Sequence, residues 1–348
     1  MRTLVLHTAF PGDLILVTPL LDRLRRDPGL EWLGLLTTPA CAPLFAGDPR
    51  LDGLIVYDKR GADRGPAGYL RTLGRLRACR PDRVLCPHRS LRSSSMAWLS
   101  GAWERVGFSS ATGGLAYTEL VYDDRARHEI DRNLALAGPT DGEIAPPTLH
   151  QDPAEEARVR EIFERRGLVL PVAMAPASLW ATKRWPPRHF GRLADQIMEA
   201  TPADILLLGG PGDEGLCREV EAEVHSCRRH RVHILAGELS LRESLQALRL
   251  CRLAVVNDSA PLHLAQAARV PTFALFGSTV PAFGFGPRGA HDRVFQTRLD
   301  CIPCGIHGRR ACPLGTLACL EELKPEAVLE AVVAEFARAR HAPEGLNG

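Results

Sequence analysis

Near its start the sequence has a short apolar run, Thr3-Leu4-Val5-Leu6-His7-Thr8, which ends at the turn Pro11-Gly12. A short continuous apolar run is typical of a buried strand in a parallel sheet. The next segment, Leu14–Arg26, has apolar residues at helical spacing, and Pro19 within it predicts the start of a helical turn or a kink. A strand followed by a helix is the repeating unit of an α/β fold.

The alternation of strands and helices continues in two series along the chain. In the first series we predict strands at Trp32–Thr38, Leu54–Asp58 and Arg83–Pro87, and helices at Tyr69–Cys79 and Leu91–Leu99. In the second we predict strands at Val172–Ala175, Asp204–Gly209, Val232–Ala236, Leu253–Asn257 and Thr272–Phe276, and helices at Arg188–Glu199, Asp213–His225, Leu241–Leu250 and Pro261–Ala268. Such alternation predicts parallel sheets that are covered by helices on both faces.

A proline-rich stretch, Gly138–Pro153, separates the two series and is predicted to be a linker. We therefore expect two doubly wound α/β domains that face each other across a cleft, at residues 1–150 and 151–324. Residues 325–348 are expected to form an amphipathic helix, Pro325–Arg340, and a tail.

Length and composition exclude several classes of protein. The chain has 348 residues, of which 45% are hydrophobic and 24% charged, and these are ordinary values for a globular protein. Its formal net charge of +2 argues against a nucleic-acid binder that works by bulk charge. No apolar run approaches the ~20 residues of a membrane-spanning helix, and the first residues lack the layout of a cleavable signal. We expect a cytoplasmic location.

The loop after the first strand carries Asp13, a candidate catalytic residue. Ligands of open parallel sheets bind outside the carboxyl ends of the strands, so a carboxylate there could act as a general base. Alternatively, Asp13 is only a helix cap or a favourable partner of the helix dipole. The loop has neither the glycine pattern of a dinucleotide site nor that of a phosphate-binding P-loop.

The loop Ala177–Pro186 combines hydroxyl groups, cations and tryptophans. Lys183 and Arg184 could neutralise a phosphate, and Ser178 and Thr182 offer hydroxyl donors. The alternative is surface packing of a cation over a Trp ring.

The segment Asn257–His263 predicts a helix start with an exposed amino end, which suits a diphosphate. His263 lies one turn inside that helix, where a lone histidine is usually a packed or surface residue. The glycine-rich loop Gly209–Asp213 either wraps a nucleotide or is only a flexible turn.

The chain has ten cysteines, and four of them lie close together in the sequence: Cys301, Cys304, Cys312 and Cys319. Four thiolates at short separations could close a tetrahedral structural zinc site. Their spacing is equally compatible with reduced thiols or local disulfides.

Taken in order along the chain, these motifs resemble a known family. The opening Leu4–Arg25, the loop Lys183-Arg184-Trp185-Pro186 and the segment Asn257–Ala265 are similar to the ADP-heptose:lipopolysaccharide heptosyltransferases, which form glycosyltransferase family 9. The Cys301–Cys319 stretch resembles a Cys-Pro-Cys-containing segment of many members. One departure is Ala260, where many members have Gly, and its extra methyl could narrow a phosphate-binding turn without abolishing binding.

The resemblance implies a GT-B fold and an inverting transfer of heptose from ADP-heptose to the inner core of lipopolysaccharide, without a catalytic metal. Asp13 would then be the base that deprotonates the acceptor hydroxyl, and Lys183 would hold the donor diphosphate. The remaining donor-binding residues implied are Ser178, Thr182, Leu239 near the adenine, Asp258, Ser259, Ala260 and His263.

The acceptor would be a lipid-linked inner-core sugar that carries anionic groups. Basic residues of the first domain are candidates to bind it, namely Lys59, Arg60, Arg89 and Arg92, although each of them could equally be a solvated surface cation. We expect transient, peripheral contact with the cytoplasmic face of the inner membrane.

Two other functions compete with this one. The chain could be a GT-B enzyme that takes another nucleotide sugar, or a nucleotide-sugar epimerase, because fold alone does not fix the substrate. It could also be a non-catalytic metal or redox module built on the four cysteines.

Overall fold

The computed structural model describes residues 1–139 and 146–340, and gives only the backbone at 339 and 340. The chain divides into two compact units. Unit 1 comprises Met1–His150 together with Ala282–Phe285, and unit 2 comprises Gln151–Pro281 and the residues from Gly286 onward. Part of the predicted linker, residues 140–145, and the predicted tail after Arg340 lie outside the described residues.

Each unit contains six strands. In unit 1 these are β1 (Arg2–Leu6), β2 (Trp32–Thr37), β3 (Gly53–Val56), β4 (Arg83–Cys86), β5 (Glu104–Phe108) and β6 (Glu119–Val121). In unit 2 they are β7 (Val172–Ala175), β8 (Ile205–Leu207), β9 (Val232–Ile234), β10 (Leu253–Asn257), β11 (Thr272–Phe276) and β12 (Arg293–Gln296).

The α-helices alternate with these strands. In unit 1 they are α1 (Pro11–Ile15), α2 (Thr18–Arg25), α3 (Gly65–Ala78), α4 (Leu91–Leu99) and α5 (Glu129–Ala135). In unit 2 they are α6 (Pro153–Arg166), α7 (Pro187–Ala200), α8 (Glu214–Ala222), α9 (Leu241–Arg249), α10 (Ala260–Ala268), α11 (Ala318–Glu321) and α12 (Pro325–Arg340).

The two sheets have the same winding. The strand order is β3-β2-β1-β4-β5-β6 in unit 1 and β12-β11-β10-β7-β8-β9 in unit 2, and all neighbouring strands are parallel. In each sheet the chain winds first to one side and then to the other, so the direction switches between β1 and β4 and between β7 and β10. In doubly wound sheets ligands bind at the carboxyl ends of the strands at such a switch point. The topology therefore gives each unit one preferred place for a site.

The cores lie where parallel sheets require them, on both faces of the strands. In unit 1 Leu4, Leu6 and Val84 of the central strands are fully buried. In unit 2 the sheet packs against α7 and α12, and Trp185 is completely buried beside Phe190, with ring centroids 5.0 Å apart. These central strands form a rigid base for the loops at their carboxyl ends.

The predicted doubly wound fold is confirmed, with differences at a few elements. The helix predicted at Leu14–Arg26 is two helices, because a turn at Leu16 and Val17 separates α1 from α2 and Pro19 lies in the first turn of α2. Sequence reasoning missed the helices α5 and α6 and the strands β5, β6 and β12. Both β6 and β12 are short edge strands whose residues are largely exposed, so they lack the apolar pattern of a buried strand.

Candidate active site

At the switch point of unit 2 a lysine and an aspartate form a nearly buried ion pair. Lys183 Nζ lies 2.6 Å from Asp258 Oδ2, and the two side chains are 14% and 6% exposed. The Thr279 hydroxyl donates to the same carboxylate oxygen at 2.5 Å. Lys183 follows β7 and Asp258 follows β10, so adjacent strands bring together two residues that are far apart in the sequence. The pair holds a positive charge in a fixed position at the carboxyl end of the sheet.

The amino end of α10 lies next to this pair. Ser259 is the N-cap residue, but its hydroxyl does not cap the helix and instead donates to the Asn257 carbonyl at 3.4 Å. The helix amino end therefore keeps first-turn amides that the Ser259 side chain does not satisfy, an arrangement that attracts anions. His263, in the same helix, is buried, and its pKa is lowered to about 4, chiefly by burial. It is thus a neutral imidazole at neutral pH.

Asn257, the last residue of β10, holds in place the loop Ala177–Pro186, which we call the lysine loop. Its Oδ1 accepts the backbone N–H of Trp185 at 3.0 Å, and its Nδ2 donates to the Pro176 carbonyl at 2.8 Å. The Trp185 indole also donates to the Leu323 carbonyl at 2.9 Å. The expected stacking of a cation on a Trp ring is not found at Lys183 or Arg184 among the residues described; Arg184 donates to the Ser178 carbonyl at 2.5 Å.

Asn257→Ala is expected to lower the free energy of unfolding of unit 2. The substitution leaves the Trp185 N–H and the Pro176 carbonyl without their partner, at about 1–3 kcal/mol for each unsatisfied buried group. Urea denaturation followed by tryptophan fluorescence measures the loss. Ser259→Ala, which removes only one long hydrogen bond from the next turn, is the control. Equal stability of the two variants would contradict the bracing role.

The hydroxyl of Thr182, beside Lys183, is already hydrogen-bonded within the protein. Its hydroxyl lies 3.0 Å from the Ser278 hydroxyl and accepts the Arg309 N–H at 2.8 Å, and its own N–H donates to the Arg309 carbonyl at 3.2 Å. The loop is also close to Gly308, where an added Cβ would lie 2.3 Å from the Trp180 Cβ. Gly308 and Arg309 belong to the cysteine-rich segment Cys301–Cys319, so this segment braces the lysine loop.

The four clustered cysteines are free thiols in one neighbourhood. Burial raises the pKa of Cys319 to about 11, and the charges of Cys304, Cys312 and Cys301 add to that shift. Within residues 1–139 and 146–340, no group of three or more His, Cys, Asp or Glu side chains is arranged to hold a metal ion. The zinc site stays a prediction without geometric support.

Two predicted donor-binding residues of unit 2, Leu239 and Ser178, are buried, and the glycine-rich turn of unit 2 is largely exposed. The Gly209–Asp213 turn closes on itself, because the Gly210 N–H donates to Asp213 Oδ2 at 2.8 Å. Leu239 is buried directly before Ser240, the N-cap of α9. Ser178 is buried near the end of β7, and its Oγ lies 3.4 Å from the Trp180 N–H.

At the switch point of unit 1, Asp13 lies in α1, directly after the loop that follows β1. Its carboxylate accepts the Phe10 N–H at 3.4 Å, so the capping interpretation holds only as a long bond. Burial raises the pKa of the neighbouring Cys41 thiol, and the Asp13 carboxylate contributes to that shift. Asp13 itself is only half-buried, and a half-buried carboxylate at a switch point is a suitable general base.

The predicted acceptor-binding cations differ in their surroundings. Lys59 donates to the Thr8 carbonyl at 2.8 Å, and its pKa is lowered by burial and by the charges of Arg92 and Arg60. Arg60 and Arg92 are exposed. Lys59, Arg60 and Arg92 thus form one positive patch beside the loop that leads from β1 to Asp13.

Arg89 has a structural role instead of a free positive charge. It donates to both oxygens of Asp123, at 2.8 and 2.9 Å, and to Glu129 at 3.1 Å, and its guanidinium lies over the Phe108 ring. Burial alone would raise the pKa of Asp123, yet hydrogen bonds from Arg89 and Ser110 bring it down to about 2. The alternative interpretation of Arg89 as a solvated surface cation is wrong, because this ion pair is largely enclosed, and its predicted contact with the acceptor stays a prediction.

Comparison with known proteins assigns these features to a family. The model of glycosyltransferase family 9 (heptosyltransferase) matches residues 70–314, which include both Lys183 and Asp258. The chain belongs to glycosyltransferase family 9. The predicted family and enzyme class are thereby confirmed.

Curated relatives of this family 9 chain differ in how much of their length it matches. Lipooligosaccharide heptosyltransferase 2 of Campylobacter jejuni is 30% identical over 44% of this chain and 47% of the relative, so the match spans about half of that protein. Lipopolysaccharide heptosyltransferase 2 of Escherichia coli K12 is 25% identical over 95% of this chain and 97% of its own.

A solved structure shares the fold. The structure of ADP-heptose lipopolysaccharide heptosyltransferase II of E. coli superposes with a TM-score of 0.80 at 23% identity, over 98% of this chain and 100% of that one. The predicted GT-B fold class is confirmed.

Sequence reasoning missed two histidines at the unit 1 site of this family 9 chain. His7 follows β1 and His88 follows β4, with ring centroids 5.7 Å apart. His88 Nδ1 lies 2.8 Å from the Ser93 hydroxyl and 3.0 Å from that of Thr8. Burial lowers the pKa of His7, and it lowers that of His88 to about 4 with help from Lys59 and Arg89. The sequence signal for His88 was its position directly after the predicted strand Arg83–Pro87, whereas His7 lay inside the predicted strand Thr3–Thr8.

The His88 shift predicts a pH dependence of stability. Its pKa is below the ~6.5 of an unfolded chain, so the unfolded state binds this proton more tightly. The stabilisation is complete above pH ~6.5 and is lost as pH falls towards 4, by about 3 kcal/mol. His88→Asn is expected to reduce the acid-induced loss of unfolding free energy in that window. The Asp123 carboxyl has a pKa of about 2 and therefore changes stability only below about pH 4. A stability profile of His88→Asn that equals the wild-type profile between pH 6.5 and 4 would contradict the role of His88.

None of the helices in the described part of this family 9 chain is long and apolar enough to cross a membrane.

Proposed function

We propose that the chain transfers heptose from ADP-heptose to the inner core of lipopolysaccharide, with inversion at the anomeric carbon. The observation that carries the proposal is the Lys183–Asp258 pair beside the α10 amino end, where positive charge suits a diphosphate. Family membership and the names of the relatives, which are heptosyltransferases for lipooligosaccharide or lipopolysaccharide, support the same reaction.

Unit 2 binds the donor in this proposal. Lys183 and the amides at Ser259 and Ala260 hold the diphosphate, and Ser178 donates to a phosphate oxygen. Asp258 orients Lys183 and, with His263, contacts the donor sugar or diphosphate. Leu239 lies against the adenine. Thr182 acts indirectly, because its hydroxyl already bonds to Ser278 and Arg309.

Asp13 is the general base. It accepts the proton of the acceptor hydroxyl while that oxygen forms a bond to the anomeric carbon of heptose. The bond from that carbon to the diphosphate breaks, and ADP leaves with the electron pair. Negative charge grows on the leaving oxygen, and Lys183 and the α10 amides stabilise it.

Lys59, Arg60 and Arg92 bind the anionic acceptor, and Arg89 supports that region through Asp123 and Glu129. The lipid-linked acceptor brings the enzyme to the cytoplasmic face of the inner membrane, where cations meet anionic head groups.

A transfer assay by mass spectrometry tests the proposal. The purified protein is mixed with ADP-heptose and either a Kdo-terminated or a heptose-terminated core acceptor. We expect the gain of one heptose on one of them, and the acceptor that reacts names the step. Reactions with UDP- and GDP-sugars are run beside it. Transfer only from those donors, or no transfer with ADP binding intact, would overturn the heptose assignment and leave another activity on the same fold.

A further inference from the structure

Unit 2 has a recess at the opposite end of its strands from the lysine loop. Its volume is about 390 Å³, and its lining includes Arg249, Arg252, Arg269, Arg338 and Glu335. We call it the arginine recess. The lining residues precede β7, β10 and β11 or belong to α12. Because the strands are parallel, the recess lies at their amino ends, whereas Lys183 and Asp258 follow their carboxyl ends.

Positive charge in the arginine recess exceeds the negative charge that faces it. Glu335 pairs with Arg338, accepting its Nε at 3.0 Å. Arg249 donates to the neutral Gln246 at 3.2 Å. The Glu156 carboxylate raises the pKa of Arg249 but itself bonds to Arg160 at 2.8 Å. Within the described part of the chain, the lining therefore holds four guanidinium groups and one carboxylate.

Two of these arginines, Arg249 and Arg252, destabilise the folded protein when no anion is bound. Arg252 Nη2 is buried and has no hydrogen-bond partner among the residues that the structure describes. The pKa of Arg249 is lowered by burial and by the nearby charge of Arg269, against the opposing effect of Glu156. A buried guanidinium nitrogen without an acceptor, beside like charges, destabilises a fold unless an anion offsets it.

We propose that the arginine recess binds a multiply charged anion that carries phosphate groups. The planar guanidinium fork matches phosphate oxygens two at a time. The volume equals that of about a dozen liquid waters, which leaves room for a diphosphate or a phosphate ester rather than for a single chloride. A bound phosphate neutralises Arg249 and Arg269 together and offsets the charge of Arg252, whose Nη2 is itself buried from solvent.

Calorimetric titration with inorganic diphosphate tests the site. All proteins in the titration carry Lys183→Gln, which weakens phosphate binding at the proposed donor site without adding a competing phosphate ligand. The protein with this change alone is the reference and is expected to bind one diphosphate, and the further change Arg249→Gln or Arg252→Met should weaken that binding at least tenfold. Arg165→Gln, which changes an exposed arginine of α6, is the control and should leave the affinity of the reference unchanged. Affinity unchanged by both recess substitutions, or no binding to the reference, would overturn the proposal.

Thermal unfolding separates a binding site from a structural cluster. Without diphosphate, Arg249→Gln should melt at the wild-type temperature or above it, because one of two like charges is gone. In proteins that carry Lys183→Gln, so that the proposed donor site contributes little, diphosphate should stabilise the protein with an intact recess and not the one that also carries Arg249→Gln. A variant that melts lower and gains as much from diphosphate as wild type would show a purely structural role.

Vesicle sedimentation then identifies the source of the phosphate. If a lipid head group fills the recess, wild type binds phosphatidylglycerol vesicles more strongly than phosphatidylcholine vesicles, and Arg252→Met loses that preference. If a free metabolite fills it, diphosphate binds and the vesicle preference is the same in both proteins. The assay with diphosphate does not depend on heptose transfer, so the recess and the proposed function can fail separately.

Discussion

Asp13→Asn is expected to lower kcat for heptose transfer by roughly 10²–10⁴-fold, the usual contribution of a general base. Asparagine has the same shape as aspartate but cannot take up the acceptor proton. It keeps an oxygen to accept the Phe10 N–H, so α1 should keep its start. ADP affinity should be unchanged, because the proposed diphosphate contacts all belong to unit 2. Steady-state transfer rates and calorimetric titration with ADP measure the two effects.

The matched control for this variant is Asp27→Asn. Asp27 also lies in unit 1 and accepts a local backbone N–H, that of Gly29 at 2.8 Å, but it is exposed and distant in sequence from any proposed contact. It should transfer heptose at the wild-type rate. A rate for Asp13→Asn within a few-fold of wild type would remove Asp13 from the mechanism and leave it as a helix cap.

Lys183→Gln is the second substitution with a large expected effect. The ammonium group is already in place against Asp258, and the charge that it stabilises is largest as ADP leaves. Its loss should lower kcat by roughly 10²–10³-fold, as for other groups that stabilise developing charge. Glutamine can still donate a hydrogen bond to Asp258, so the loop should keep its position.

Nucleotide binding distinguishes a phosphate ligand from a merely structural lysine. Lys183→Gln should weaken ADP binding by tenfold or more and leave adenosine binding unchanged, because adenosine has no phosphate. Lys324→Gln, at an exposed lysine that bonds only to the Glu321 carbonyl, is the control. Equal weakening of ADP and adenosine would mean that Lys183 only shapes the loop.

The sequence was sufficient for the winding of both sheets but not for their edges. The bounds predicted for Leu253–Asn257 and Thr272–Phe276 agree with β10 and β11, because these central strands are buried on both faces and read as apolar runs. The edge strands Glu119–Val121 and Arg293–Gln296 each pair with a single neighbouring strand. Their three or four residues mix polar and apolar side chains, so their sequence does not predict that pairing.

Candidate residues of the site were recognisable wherever a loop follows a strand. Their partners were not, since partnership depends on contacts between distant segments. From the sequence, Arg89 is either an acceptor-binding residue or a solvated cation, and nothing local predicts that Asp123, 34 residues further along the chain, accepts two hydrogen bonds from its guanidinium group. His88 gave no local sign of its low pKa, because its burial comes from the packing of unit 1 as a whole.

The bonds that hold the lysine loop also determine when it can form during protein synthesis. Trp185 donates to the Leu323 carbonyl, 138 residues further along the chain, and Thr182 bonds to Arg309. While the ribosome is still translating the strands of unit 2, neither partner exists. Lys183 is therefore synthesised well before Leu323, the residue that completes the bonds of its loop. A polypeptide released before Leu323 would carry every proposed donor ligand and still lack the loop shape that joins them, so under the proposed function ADP binding requires translation through Leu323.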